Sequence, residues 1–446
     1  MKDGIIKSPI LVVGAGITGL VIAYELVKKD LPVIVLEKED EIGGLAKTVN
    51  FNGNNFDIGP HRFYSSNEKI IDYIRQILDG SLKKIKRHSL IYCQGRYFNW
   101  PLSFIDIFNL HLKTLLSITG DFISNIRAAS AVPKTNYEDY IKTGYGKTMY
   151  EIFFKNLSDK FLSYPANKIH WTWAKTGIEK AVIDEKIYSR NLEDIAWMLF
   201  KLKKYASNYF YPVNGIGMFT DTLASLIIKE GGVIKTGEEI IDIDFDDGEP
   251  AKVALKSGVI VPSQIIWTAP ITNLAKVINC EEPRLVYHTL QLFFFSFKER
   301  DLLKKFQWCY YSDKDVSFHR VSMPSCFSRE LAISGTSSVV IERSYDEDEN
   351  HNNNSLELKD KMLYDLKKAR VIKKTAQPQD ILIKKIDNAY PVYNLGFMEE
   401  KDKFFNYLKK FENIKLVGRQ GLFWYNSMDE CIENALKVAE EVALLF

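Results

Sequence analysis

The sequence predicts an α/β protein whose two parts are interleaved along the chain, and three observations carry that prediction. A strand, a glycine-rich turn, a helix and a second strand follow one another over residues 10–36. The same texture of turn, helix and short strands returns over 209–283 and at the chain's end, 414–446. Between these segments the chain first reads as long helical patterns (89–207), then as the alternating apolar and polar residues (284–345) of an antiparallel sheet.

In the opening unit, residues 10–13 (ILVV) and 33–36 (VIVL) are short, β-branched runs, and Leu20, Ala23, Tyr24 and Val27 recur between them at helical spacing. Gly14-Ala15-Gly16-Ile17-Thr18-Gly19 follows the first strand and opens the helix. There Gly14 makes a tight turn, Gly16 lets a pyrophosphate approach the backbone, and Gly19 allows close helix–strand packing. The helix start at Ile17 and Thr18 offers free N–H groups and a positive dipole end to a phosphate. Glu37 ends the second strand, where its carboxylate suits ribose hydroxyls and would repel a 2′-phosphate. This is the context of a Rossmann-like dinucleotide site. A polar hairpin is expected over 46–58, turning at Asn52-Gly53. Residues 253–270 read as a hairpin followed by a buried strand, 345–361 as a polar loop leading into a helix, 414–419 as a strand and 428–446 as a helix. The expected dinucleotide-binding part is 1–88, 208–283 and 386–446; the expected substrate part is 89–207 and 284–385.

The chain has 446 residues, 46% hydrophobic and 26% charged, with a net charge of +2. That balance suits a globular protein with a large core and gives no reason to expect a nucleic-acid partner. Five cysteines without a C-x-x-C pair fit a reduced compartment and provide neither a metal set nor a disulfide framework. The start, MKDGIIKSPI, is too short and polar for a signal peptide. No apolar run reaches the roughly 18 residues of a membrane span. The nearest, 104–126, is interrupted by Asp106, His111 and Lys113 and reads as an amphipathic helix or helix pair that packs on a core, with membrane-surface contact as the alternative. A cytoplasmic protein without an integral membrane segment is expected; a homo-oligomer is left open.

After Glu37 and Lys38 come Gly43-Gly44-Leu45 and Thr48. This continuation resembles the flavoprotein family of amine oxidases, protoporphyrinogen oxidases and UDP-galactopyranose mutases, in which it wraps FAD. "IIWTAP" (265–270) resembles that family's second adenine-side strand, and "LVGRQGLFWYNSMDECIENAL" (416–436) its C-terminal flavin motif. The resemblance implies cofactor contacts at Gly418, Arg419, Ser427 and Met428. Within the family, several segments are most similar to the mutases. "DIGPHRFYS" (57–65) resembles the loop over the flavin and implies Gly59, Pro60 and His61. "QGRYFNWPLSF" (94–104), "MYEIFFKNLSDKFLSYPANKIHWTWAKTGI" (149–178), "WCYYSDKDVSFHRVSMPSCFS" (308–328) and "NAYPVYNLGF" (388–397) follow in mutase order. The implied diphosphate ligands are Arg320, Arg419, Tyr390, Tyr393 and Tyr425, residue types that bind paired phosphate oxygens. The implied catalytic residues are His61, Arg320 and Arg419.

What the mutase resemblance implies is an NDP-sugar pyranose/furanose mutase. Reduced FAD, supplied with electrons by an external reductant, attacks the anomeric carbon of a nucleotide sugar through N5, with NDP as the leaving group. The chain departs from the mutases at Tyr64, where a second His is usual, at Leu162-Ser163, where Trp-Gly is usual, and at Ser427, where Asp is usual. The family's second diphosphate arginine has no clear match; Arg190 is a candidate. Two alternatives share the flavin half: an oxidase or dehydrogenase of the protoporphyrinogen or amine type, and a flavin-binding protein without turnover.

Overall fold

The computed structural model describes residues 8–102, 106, 110–127, 135–179, 209–246, 249–345 and 355–446. Arg190 and, within 104–126, residues 104, 105 and 107–109 lie outside the described residues. No helix among the described residues is long and apolar enough to cross a membrane.

The first sheet is parallel, in the order Ile414–Leu416, Gln264–Trp267, Ile10–Val13, Val33–Leu36, Val233–Lys235. Its central strand is apolar on both faces because both are covered. Ile10 and Val12 feed one core with helices Ile17–Val27, Gly217–Lys229 and Met428–Ala443, while Leu11 and Val13 feed another with Ile265 and Trp267. Successive side chains point to opposite faces of a strand, so a fully buried strand loses its polar alternation. The expected hairpin is present: Thr48–Phe51 pairs antiparallel with Asn54–Asp57, and Asn52 (φ 48°) and Gly53 (φ 78°) both take the left-handed backbone that a two-residue turn needs.

The second sheet has seven strands, in the order Asp380–Val392, Val286–Lys298, Thr336–Tyr345, Arg320–Ser322, Trp308–Tyr311, Ser89–Cys93, Arg96–Asn99. It is antiparallel apart from the pairing of Trp308–Tyr311 with Ser89–Cys93. The part boundary expected at residue 386 falls inside a strand. Asp380–Val392 stays continuous because it pairs with Val286–Lys298 along nearly its whole length, absorbing one register shift between His288 and Leu290. Helix Lys155–Leu162 packs on strand Thr336–Tyr345, where Ser344 Oγ donates to the Phe161 carbonyl at 2.7 Å.

Candidate functional site

The glycine-rich loop has the geometry its residue types require. Gly14 has φ 103°, and a Cβ there would lie 2.5 Å from Thr268 Oγ1; a Cβ on Gly19 would lie 2.0 Å from the Gly14 carbonyl oxygen. Gly16 differs: a Cβ there meets nothing within 4 Å. The protein leaves that space open, and no side chain caps the helix Ile17–Val27 or places an acid in its first turn. Unfilled space beside uncapped helix amides is what a pyrophosphate needs, so these residues fit a dinucleotide cofactor.

Gly43 N donates to Ala15 O at 2.8 Å, and Gly16 and Gly43 form a parallel bridge. Gly44 (φ 54°) lies so close that its Cβ would sit 3.4 Å from Gly16 Cα. The two glycine motifs therefore form one cradle. Glu37 is buried beside it, accepting from Ala15 N at 2.9 Å and Glu39 N at 3.1 Å. Each carboxylate oxygen keeps a lone pair for a hydroxyl. Thr18 is buried under Gly418, whose φ of 80° and close approach exclude a side chain. Lys38 points outward and pairs with Glu39. Leu45 packs with Leu290, Ala389 and Tyr390, joining the glycine cradle to the second sheet. Helix Met428–Ala443 begins where expected, but Asp429 and Glu430 occupy its first turn. Glu430 Oε2 accepts from Ser427 N at 2.7 Å, and Asp429 Oδ1 from Ser427 Oγ at 2.6 Å. The positive end of this helix is thus met in part by its own carboxylates.

Arg320, Arg419, His61, Tyr390 and Tyr425 come together from four separated stretches of chain. Arg320 and Glu342 are register partners on adjacent strands. Arg320 Nε and Nη2 donate to the two oxygens of Glu342 at 2.6 and 2.5 Å, with both side chains buried, and Nη2 reaches Tyr390 Oη at 3.3 Å. Burial works against the Arg320 charge, but Glu342 more than offsets it and holds the guanidinium well above its usual range. The expected diphosphate ligand is therefore committed to a carboxylate on two sides, with Nη1 left over. Gly59 (φ 82°) lies beneath the pair; its Cβ would sit 3.3 Å from Glu342 Oε2 and 3.4 Å from Arg320 Nη2. Pro60 and His61 follow. Burial, then Arg419 and Arg320, push the His61 imidazole down to about 3, and its Nδ1 has no partner among the described residues.

Arg419 donates through Nε and Nη2 to the Asn426 carbonyl at 3.0 and 2.6 Å, and its guanidinium lies 4.7 Å from the Tyr425 ring centre and 5.4 Å from that of Tyr390. No carboxylate among the described residues pairs with it. Tyr390 and Tyr425 face each other at 5.6 Å.

Tyr393 is not placed as expected. It is fully buried, stacks on Phe397 at 4.3 Å, and its Oη accepts from Tyr425 N at 2.6 Å. Its hydroxyl braces the loop that carries Tyr425 and is not offered to a ligand. Four residues that the motifs missed border the site: Glu342, Phe161, His288 and His319. Phe161 contacts Tyr390 at 5.3 Å, His319 at 4.8 Å and His288 at 6.4 Å. Burial pushes His288 down to about 4 and, with Arg320 beside it, His319 well below its usual range; all four ring nitrogens lack a partner among the described residues. Glu342 had one signal in the sequence, a lone acid in the run "SSVVIERSY".

Comparison with known proteins adds four findings. The family model described as flavin containing amine oxidoreductase matches residues 17–443. The chain is 22% identical to the probable UDP-galactopyranose mutase of Klebsiella pneumoniae, covering 97% of this chain and 94% of that protein. It is 21% identical to the dTDP-fucopyranose mutase of Escherichia coli, covering 97% of each. Among solved structures, reduced UDP-galactopyranose mutase superposes with a TM-score of 0.83 at 19% identity, covering 99% of this chain and 95% of that one.

Proposed function

The chain belongs to the family of flavin containing amine oxidoreductases, and from that premise we propose that it is an FAD-dependent mutase acting on a nucleotide sugar. Membership makes it a flavin-dependent enzyme; FAD, the mutase reaction and the substrate are our reading. Similarity along nearly the full length of two sugar-nucleotide mutases supports it. The observation that carries it is Arg419, a cation with no carboxylate partner among the described residues, beside two tyrosines and a histidine kept neutral. A cationic amine is repelled there, whereas a diphosphate is attracted.

Reduced flavin, when bound, supplies the nucleophile for the anomeric carbon. The chain's own residues do the rest. Arg419 and the free Nη1 edge of Arg320 hold the diphosphate and stabilise it as a leaving group. Tyr390 and Tyr425 orient it, and Phe161 keeps water out. His61 offers Nδ1 to the ligand as a neutral donor or acceptor. The reaction has no net redox change, so an external reductant is needed only to prepare the enzyme.

The test is to reduce the holoenzyme with dithionite, supply a panel of NDP-hexoses, and separate products of unchanged mass. An isomer formed only by reduced enzyme is expected. Oxygen uptake with peroxide release on an amine or a porphyrinogen, without isomer formation, would overturn the reading.

A further inference from the structure

The loop that carries Gly59, Pro60 and His61 is tied at both ends to one short strand, Tyr209–Pro212. At its far end Phe63 N donates to Phe210 O and Phe210 N to Phe63 O, both at 2.9 Å. At its near end Tyr211 Oη donates to Asp57 Oδ2 at 2.5 Å. The other carboxylate oxygen, Oδ1, accepts from Thr48 Oγ1 at 2.7 Å and from Ile216 N at 3.1 Å. Thr48 is the register partner of Asp57 in the hairpin, and its Oγ1 also accepts from Gly217 N at 2.8 Å. One carboxylate therefore joins the hairpin, the strand and the start of helix Gly217–Lys229.

Asp57 and Tyr211 are both buried, and no cation among the described residues pairs with Asp57. Burial pushes its carboxyl up to about 6, and the donors Tyr211, Thr48 and Ile216 act against that rise. A buried carboxylate without a cation costs stability, and what this one contributes is the placement of the groups it holds. That placement leads into the site. The Asp57 carbonyl accepts from Gly59 N at 2.9 Å. Gly59 lies against Arg320 and Glu342, and its backbone bears on the His61 ring. Residues 58–62 thus form an arch whose near end is set by Asp57 and whose far end is set by Phe63.

We propose that Asp57 is a positioning residue: by holding Thr48 on one oxygen and Tyr211 on the other, it fixes the arch and keeps the His61 imidazole against Arg320 and Arg419. Where the ligand of that site is a nucleotide diphosphate, the inference rests on the function proposed above; the placement of His61 does not.

The test compares Asp57→Ala with Asp57→Asn in the FAD-loaded protein, by UDP calorimetry and by NMR titration of the His61 ring. Asp57→Ala leaves three donors without their acceptor and releases the arch. It is expected to weaken UDP at least about tenfold and to move the His61 titration upward from about 3 towards the ordinary 6.5, with flavin content unchanged. Asp57→Asn keeps an acceptor for Thr48 and Ile216, and its amide can donate to the Tyr211 hydroxyl once that hydroxyl turns. It is expected to restore both readouts to nearly those of the unaltered protein. Tyr211→Phe removes one tie and carries the same test if Asp57→Ala does not fold, with a several-fold loss of UDP affinity. A lower melting temperature with UDP affinity and His61 titration unmoved would make Asp57 structural only and overturn the inference. Asp57→Asn behaving like Asp57→Ala would overturn it as well, because charge and not hydrogen-bond geometry would then act. A His61 titration moved by Asp57→Ala, in a protein that binds no UDP, overturns the nucleotide reading and keeps the positioning role.

Discussion

Arg320 and Glu342 face each other across adjacent strands and close a two-point ion pair with both side chains buried. A buried pair gains from its geometry and loses through desolvation, so removing one partner costs more than removing both. Arg320→Met and Glu342→Leu are each expected to destabilise the protein by about 3–5 kcal/mol. The double variant is expected to recover most of that loss, because no unpaired charge is left. Denaturant unfolding of the four proteins checks this. Additive single effects would show that the pair is not coupled.

The space beside Gly16 separates cofactor binding from folding. Gly16 has an extended backbone (φ −79°, ψ −178°) that alanine tolerates, and its Cβ meets no protein atom. Gly16→Ala is therefore expected to leave apoprotein stability within about 1 kcal/mol while lowering FAD affinity at least about tenfold. Gly19→Ala drives a Cβ to 2.0 Å from the Gly14 carbonyl and is expected to cost stability with or without cofactor. Thermal melts of both apoproteins and flavin titration decide it. Normal FAD binding by Gly16→Ala would remove the cofactor from this loop.

How much of this was legible depended on chain distance. The strand–turn–helix–strand unit, Glu37 and the hairpin at Asn52-Gly53 were readable because their determinants lie within a few residues of one another. The pair Arg320–Glu342 was not, because sheet register between distant strands decides it. Phe161, His288 and His319 were missed for the same reason: a helix, a strand and the bend before another strand bring them together. Tyr390 and Tyr393 looked equivalent in "NAYPVYNLGF", yet one reaches Arg320 and the other braces a backbone amide. Three residues of spacing at a strand end does not say which side chain faces the ligand.

That distinction is testable. Tyr393→Phe removes the acceptor of the Tyr425 amide and leaves a buried donor without a partner, which costs about 1–3 kcal/mol. Its effect on nucleotide affinity is expected to be small. Tyr390→Phe should cost less stability, since the Arg320 contact is long at 3.3 Å and Glu342 still holds the guanidinium. It should weaken NDP binding several-fold. Unfolding curves and NDP titrations on the two variants are expected to rank them in opposite orders; the same order in both assays would give the two hydroxyls one role.

His61 sets a pH dependence of defined sign. Its folded value is about 3, against 6.5 for the ordinary imidazole. Between those values the unfolded chain carries a proton that the folded chain refuses, so this group's contribution is complete above pH 6.5 and is lost as pH falls towards 3. The slope is at most about 1.4 kcal/mol per pH unit. His61→Gln is expected to flatten it, as urea unfolding from pH 7 to 4 can show. Because Arg419 and Arg320 help to hold the imidazole neutral, an anion bound between them must raise its value. Titration of the His61 ring by NMR, with and without UDP, is expected to move it upward by about one unit or more. An unchanged value in the presence of bound UDP would place the diphosphate away from these arginines.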